Sequence, residues 1–149
     1  MLKIVRTNSS NIDFIELVAE LDKDLAIRDG EEHSFYHQYN SINDIKNVLV
    51  LYNHKIPVAC GAIKHYENSV FEVKRMYVPL QFRKKGYALL ILNELEKWAK
   101  ELNYSSLILE TGSKQPEAIS LYLKYGFNKI PNYGQYRGIV NSVCFKKII

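Results

Sequence analysis

The stretch VPLQFRKKGYALLIL, residues 78–92, decides how the chain is read. A β-rich run stops at Val78-Pro79, a short basic turn follows (Arg83, Lys84, Lys85, Gly86), and a helix begins at once. The first N–H groups of a helix have no partner within it and carry a partial positive charge, so an anion can sit there. Gly86 lets the backbone approach a bulky phosphate, Ala88 keeps the first turn uncrowded, and three consecutive cations add attraction for a polyanion. A Walker loop is excluded because no G-K-[ST] follows, and a dinucleotide fingerprint because the three-glycine spacing is missing. The competing reading is an ordinary strand-to-helix turn with a solvated charge run.

Upstream of this turn, VLVLY (48–52), VACGAIKHY (58–66) and VFEVKRMYV (70–78) are β-rich runs separated at Asn53-His54-Lys55 and Glu67-Asn68-Ser69, which predicts an antiparallel meander. Before them, LKIVR (2–6) reads as a strand. Ser10 with Asp13 reads as a capping box opening a helix along Phe14, Leu17, Val18, Leu21 and Leu25. Residues 28–45 have no clear period and read as a loop or a broken second helix. Downstream, Leu89, Leu92, Leu95, Ala99 and Leu102 form a helical stripe, with Glu96 and Lys100 as an exposed i,i+4 pair. SSLILET (105–111) is a strand, 115–125 a short helix ended by Gly126, and 127–130 and 142–147 two last strands. The order β-α-(α)-β-β-β-α-β-α-β-β predicts an α/β fold: one domain over 1–149, a mixed, mostly antiparallel central sheet, and flanking helices.

Composition agrees with one packed domain: 149 residues, 47% hydrophobic and 24% charged. The net charge of +4 suits an anionic ligand. It argues against nucleic acid, because 20 basic and 16 acidic residues are spread along the chain. Cys60 and Cys144 make no disulfide framework or metal spacing and read as core. No run approaches the ~18 apolar residues of a membrane span. MLKIVRTNSS carries no apolar signal region, so the cytoplasm is the expected compartment.

Two blocks then carry a resemblance. R-K-K-G-Y-A at 83–88 resembles the [QR]-x-x-G-x-[GA] acyl-CoA pyrophosphate loop of the GNAT acetyltransferases. Q-P-E-A-I-S-L-Y-L-K-Y-G-F at 115–127 is similar to that family's downstream segment, a helix with A-x-x-L-Y followed by G-[FY]. One helix and one strand separate the blocks, as in the family. Many members have glycine where this chain has Lys84 and Ala88. Ala88 is within the pattern, and Lys84 is harmless if it keeps a negative φ.

The resemblance implies a GNAT-like fold, acetyl-CoA as co-substrate and transfer to an amine, with no metal. It implies a cofactor site built from Met76, Tyr77, Val78, Arg83, Lys84, Lys85, Gly86, Tyr87, Ala88, Gln115 and Tyr122, with Met76–Val78 pairing the pantetheine arm and an N–H near Val78 receiving the oxyanion. An alkylammonium must lose a proton before it attacks. Glu72 is the first candidate base, at an offset some members share; the alternatives are an ion pair with Lys74 or a clamp on the ammonium. Strict alternation would put Glu72, Lys74 and Met76 on one face of their strand and Phe71, Val73, Arg75 and Tyr77 on the other. Glu110 is the second candidate, as base, clamp or partner of Lys114. Tyr122 matches the tyrosine that protonates the leaving thiolate in many members; the alternative is a core tyrosine.

The irregular segments, 28–40 and 131–138, are the expected acceptor surface, with Arg28, Glu32, Tyr36, Tyr133 and Tyr136 as substrate-binding candidates. Their mixed charges suit a small-molecule amine such as an amino acid. A protein or aminoacyl-tRNA acceptor, or an acyl-CoA-binding module without catalysis, stays open. Many relatives dimerise, so a homodimer also stays open, although no segment marks an interface. His33 and His37 are spaced i,i+4, with no third metal ligand apparent.

Overall fold

The computed structural model describes residues 1–29 and 44–149. In chain order the elements are β1 (Leu2–Thr7), α1 (Ile12–Asp29), β2 (Asn47–Asn53), β3 (Ile56–Glu67), β4 (Val70–Tyr77), α2 (Tyr87–Glu101), β5 (Ser106–Gly112), α3 (Pro116–Tyr125), β6 (Asn128–Ile130) and β7 (Ser142–Ile148). Short 3-10 turns cover Leu80–Phe82 and Gly134–Tyr136. Of the segment read as a loop or a broken second helix, residues 28 and 29 belong to α1 and residues 30–43 lie outside the described residues.

The seven strands form one sheet in the order β1-β2-β3-β4-β5-β7-β6. All neighbours are antiparallel except β4 and β5. The meander β2-β3-β4 is present as expected. One face packs Leu49, Ala59, Ile63, Phe71, Val73, Leu107, Leu109 and Phe145 against Ile91, Leu92 and Leu95 of α2 and Tyr122 of α3. The opposite face packs Val48, Val50, Cys60 and Ala62 against Phe14, Leu17 and Val18 of α1. Fully burying such side chains contributes roughly 1.5–3 kcal/mol each, so each helix is held by its apolar stripe rather than by propensity.

Local expectations need three corrections. The cap of α1 is Asn11, whose Oδ1 accepts the Phe14 N–H at 3.0 Å, while the Ser10 hydroxyl turns to Asn8 instead. The buried stripe of α2 is Tyr87, Ile91, Leu92, Leu95 and Ala99; Leu89 and Leu102 are exposed. Glu96 does pair with Lys100 at 3.3 Å, but it is not a surface group, because Lys147 of β7 also reaches it.

One further correction positions the site. Cys60 pairs with Tyr77 and Ala62 with Lys74, so two β4 residues, Arg75 and Met76, oppose the single Gly61. This is a β-bulge, and Arg75 sits in it at φ 57°. The bulge breaks the period of two. Met76 joins Phe71 and Val73 on the α2 face, while Arg75 turns toward α1 and bonds Asp22. Glycine at 61 is what makes room, since a Cβ there would lie 2.6 Å from both Met76 Sδ and Ile91 Cγ2.

Candidate functional site

Strands β4 and β5 pair only from Val70↔Ser106 to Glu72↔Ile108. Beyond Glu72 the two strands splay, and among the described residues β4 has no strand partner on its β5 side. A cleft opens in this gap, walled by Leu21 and Leu25 of α1, Val73–Met76, Leu109–Gly112, Gln115, Ala118, Tyr122 and Tyr136. It runs through the sheet, with the α2 and α3 face on one side and the α1 face on the other.

The basic turn follows the splayed end of β4. Gly86 is the N-cap of α2 at φ 79°, and among the described residues no side chain hydrogen-bonds the helix start and none lies within 4 Å of a Cβ built on it. The first intrahelical bond from this cap runs from the Leu90 N–H to the Gly86 carbonyl. The amides before Leu90 are therefore left for an anion. Lys84 departs from expectation: its φ is 65°, in the left-handed region that favours glycine. Arg83 folds back, its Nε donating to the Val78 carbonyl at 2.8 Å, and its guanidinium lies 5.9 Å from the Tyr77 ring. Lys84 and Lys85 are exposed. The Tyr87 ring is in the core, with Asn53 at 3.5 Å from its hydroxyl, so only its backbone faces the turn.

On the α1 face the carboxylates are held differently. Glu110 is on the cleft wall. Glu72, only 7% exposed, is set back from it; Tyr133 donates to its Oε2 at 2.5 Å, and Lys74 Nζ lies 3.5 Å from its Oε1. Tyr136 of the 131–138 loop lines the cleft. Asn132 holds that loop by donating to the carbonyls of Tyr136 and Ile139. Tyr133 packs edge-on against Tyr66 and Tyr136.

Burial raises the phenol pKa of Tyr133, and the nearby Glu72 charge raises it further. Burial, then Glu110 and Glu72, raise that of Tyr136. Burial, then Glu110, raise that of Tyr122. All three stay protonated at neutral pH, and Tyr133 donates to Glu72.

Tyr122 is on the α2/α3 face, buried against Phe127 and Phe145, and borders the cleft. Gln115 is the α3 N-cap and lines the same cleft. Arg28, at the end of α1, pairs with Asp24 at 3.3 Å and with Glu117 of α3, which ties the two helices together beside the cleft. Glu32, Tyr36, His33 and His37 lie outside the described residues. Among the described residues no cluster of three or more metal-ligating side chains occurs, and no helix is long and apolar enough to cross a membrane. Sequence reasoning passed over Lys74 and Arg75 as cleft residues; the only signal would have been a bulge opposite Gly61, which strand periodicity does not reveal.

Residues 14–127 match the model of the acetyltransferase (GNAT) family. The chain is 34% identical over 125 residues to an IAA acetyltransferase from Azospirillum brasilense, covering 82% of this chain and 81% of that protein. A solved structure from Klebsiella pneumoniae, named for acyl-CoA N-acyltransfer, superposes with a TM-score of 0.83 at 26% identity, over 99% of this chain and 97% of that one. The PaiA N-acetyltransferase from Thermoplasma acidophilum, solved in complex with coenzyme A, shares the fold at a TM-score of 0.74 and 16% identity, over 100% and 99% of the two chains.

Proposed function

The chain belongs to the acetyltransferase (GNAT) family, and from that premise we propose that it moves an acetyl group from acetyl-CoA to the primary amine of a small molecule, an amino acid or a related metabolite. The observation that carries this reading is the cleft through the splayed β4–β5 pair, because Glu110 and Tyr122 share its wall and β4, which forms the other wall, runs on toward the anion-ready start of α2. A donor held from the α2/α3 side and an acceptor held from the α1 side would meet within it. Such juxtaposition supplies much of the rate in a bimolecular transfer.

In this reading the α2 amides, Lys84 and Lys85 receive the diphosphate, while the splayed end of β4 at Met76 and Tyr77, with the N–H of Val78 just beyond it, receives the pantetheine arm. Gln115, on the cleft wall, is a further contact for the co-substrate. Tyr133 and Tyr136 shape the acceptor side, and Arg28 braces it.

The ammonium gives its proton to Glu110, the cleft carboxylate, or through water to Glu72. The neutral nitrogen attacks the thioester carbonyl, a C–N bond forms, and the oxyanion is met by the N–H near Val78. The C–S bond then breaks, and the thiolate takes a hydrogen bond from Tyr122. The raised pKa of that phenol makes complete transfer of its proton uphill, so the final proton on sulfur comes from solvent or from the nitrogen itself, which becomes cationic on attack and loses a proton as the amide forms.

The test is a thiol-release screen with acetyl-CoA against amino acids, polyamines, aminoglycosides and peptides. Cys60 and Cys144 are buried, so the folded protein adds no thiol background. Release with a small amine, lowered by Glu110→Gln or Glu72→Gln, supports the proposal. Binding of CoA without release on any amine would reject transfer.

A further inference from the structure

Arg75 is the most unusual side chain of the cleft. Its backbone is in the left-handed region at φ 57°, which costs a non-glycine residue about 1–2 kcal/mol and persists only where the surroundings demand it. The guanidinium side chain is only 2% exposed, and one terminal nitrogen donates to Asp22 at 2.5 Å. Among the described residues its Nε, also buried, has no hydrogen-bond partner. A buried donor without a partner is expensive, and a charged one more so. Arg75 nonetheless forms part of the cleft wall, next to Lys74, with Glu110 on the wall opposite. The cleft therefore has a cationic side from β4 and an anionic side from β5.

We infer that the acceptor carries a carboxylate beside its amine, the carboxylate received by Arg75 and Lys74 and the ammonium by Glu110. This rests on the acetyl-transfer reading of the same cleft. A carboxylate oxygen supplies the acceptor that Nε lacks, and the planar guanidinium fixes its orientation in a way an ammonium does not. The bulge is the device that delivers it: without the extra residue, alternation would send the position 75 side chain to the α2 face. The favoured acceptor class is the free α-amino acid. An amine with no neighbouring carboxylate, or a peptide N-terminus whose carboxyl is an amide, leaves the Arg75 donor unpaired, and a site built around such a donor rejects them.

The experiment is calorimetry on the full chain saturated with CoA, titrated with the twenty standard amino acids and with their C-terminal amides. At least one acid should bind ten times or more tighter than its amide, with the preference lost in Arg75→Lys and CoA affinity unchanged. The loss expected for the acid is about 100-fold, the scale of a charged hydrogen bond removed from a buried site. If Arg75→Lys does not fold, Lys74→Met tests the same wall and should weaken acids about tenfold while leaving amides unaffected. Equal binding of acids and amides, or no binding of any acid, overturns the inference. Thiol release with carboxylate-free amines as fast as with the acids overturns it and leaves the transfer reading standing; no thiol release with any amine removes the transfer reading itself.

Discussion

The Tyr133 hydroxyl donates a 2.5 Å hydrogen bond to Oε2 of Glu72, joining a loop before β7 to the middle of β4 across 61 positions of sequence. Because Glu72 is almost fully buried, this donor both satisfies the carboxylate and pins the loop that carries Tyr136 into the cleft wall. Tyr133→Phe should therefore destabilise the fold by about 1–3 kcal/mol, the cost of an unsatisfied buried acceptor. It should lower turnover more than CoA affinity, since the basic turn is elsewhere. Urea melts and CoA calorimetry read the two effects separately, and unchanged stability would mean that the bond does not form in solution.

The basic turn holds two left-handed residues of opposite character. At Gly86 the φ of 79° suits glycine and no described residue crowds it, so Gly86→Ala should cost about 1 kcal/mol through backbone strain alone. At Lys84 the φ of 65° strains a side-chain-bearing residue, so Lys84→Gly should gain up to about 1 kcal/mol, net of the entropy of the unfolded chain. The same change should weaken CoA binding by removing a cation. Thermal melts with and without CoA separate the two; a Lys84→Gly protein less stable than its parent would contradict the left-handed turn.

For Tyr122, burial and then the Glu110 charge put the phenol pKa above its ordinary value of 10.0. The donor is then fully protonated throughout pH 6–9. Tyr122→Phe should lower kcat about 10- to 100-fold by a constant factor across that range. A factor that shrinks steadily with rising pH would show that the phenol titrates there and that its surroundings are less apolar than described.

Glu96 joins α2 to β7 by accepting from Lys147 at 2.5 Å, with Lys100 beside it. Burial alone would raise its carboxyl pKa, but the two ammonium groups outweigh burial and hold it below the ordinary value. A depressed folded value stabilises the fold above the unfolded pKa of about 4.3, and that contribution fades as pH falls through the folded value. Glu96→Gln should therefore lose under about 1 kcal/mol at pH 7, since solvent screens part of the network, and match the parent near pH 3. Denaturant melts at both pH values provide the check; a deficit that persists at pH 3 would point to packing rather than charge.

Much was legible in the sequence because it is local. The meander, the helix after Gly86, the glycine stop at Gly126 and the order of elements follow from periodicities of 2 and 3.6 and from residues whose backbone preferences act over one turn. The phosphate turn and the two carboxylates were readable as candidates for the same reason, and the two motif blocks supplied the family.

What only the tertiary structure decided depends on neighbours far apart in the chain. The bulge at Arg75 arises because Gly61 and α2 accept the Met76 side chain there, and it reverses the faces that strict alternation assigns. The splay after Glu72 decides that Glu110 lines the cleft and that Glu72 is set back, and the 131–138 loop decides that Tyr133 closes on it. A single strand carries no record of its partner's register, so sequence fixes which residues are available and packing fixes which of them meet.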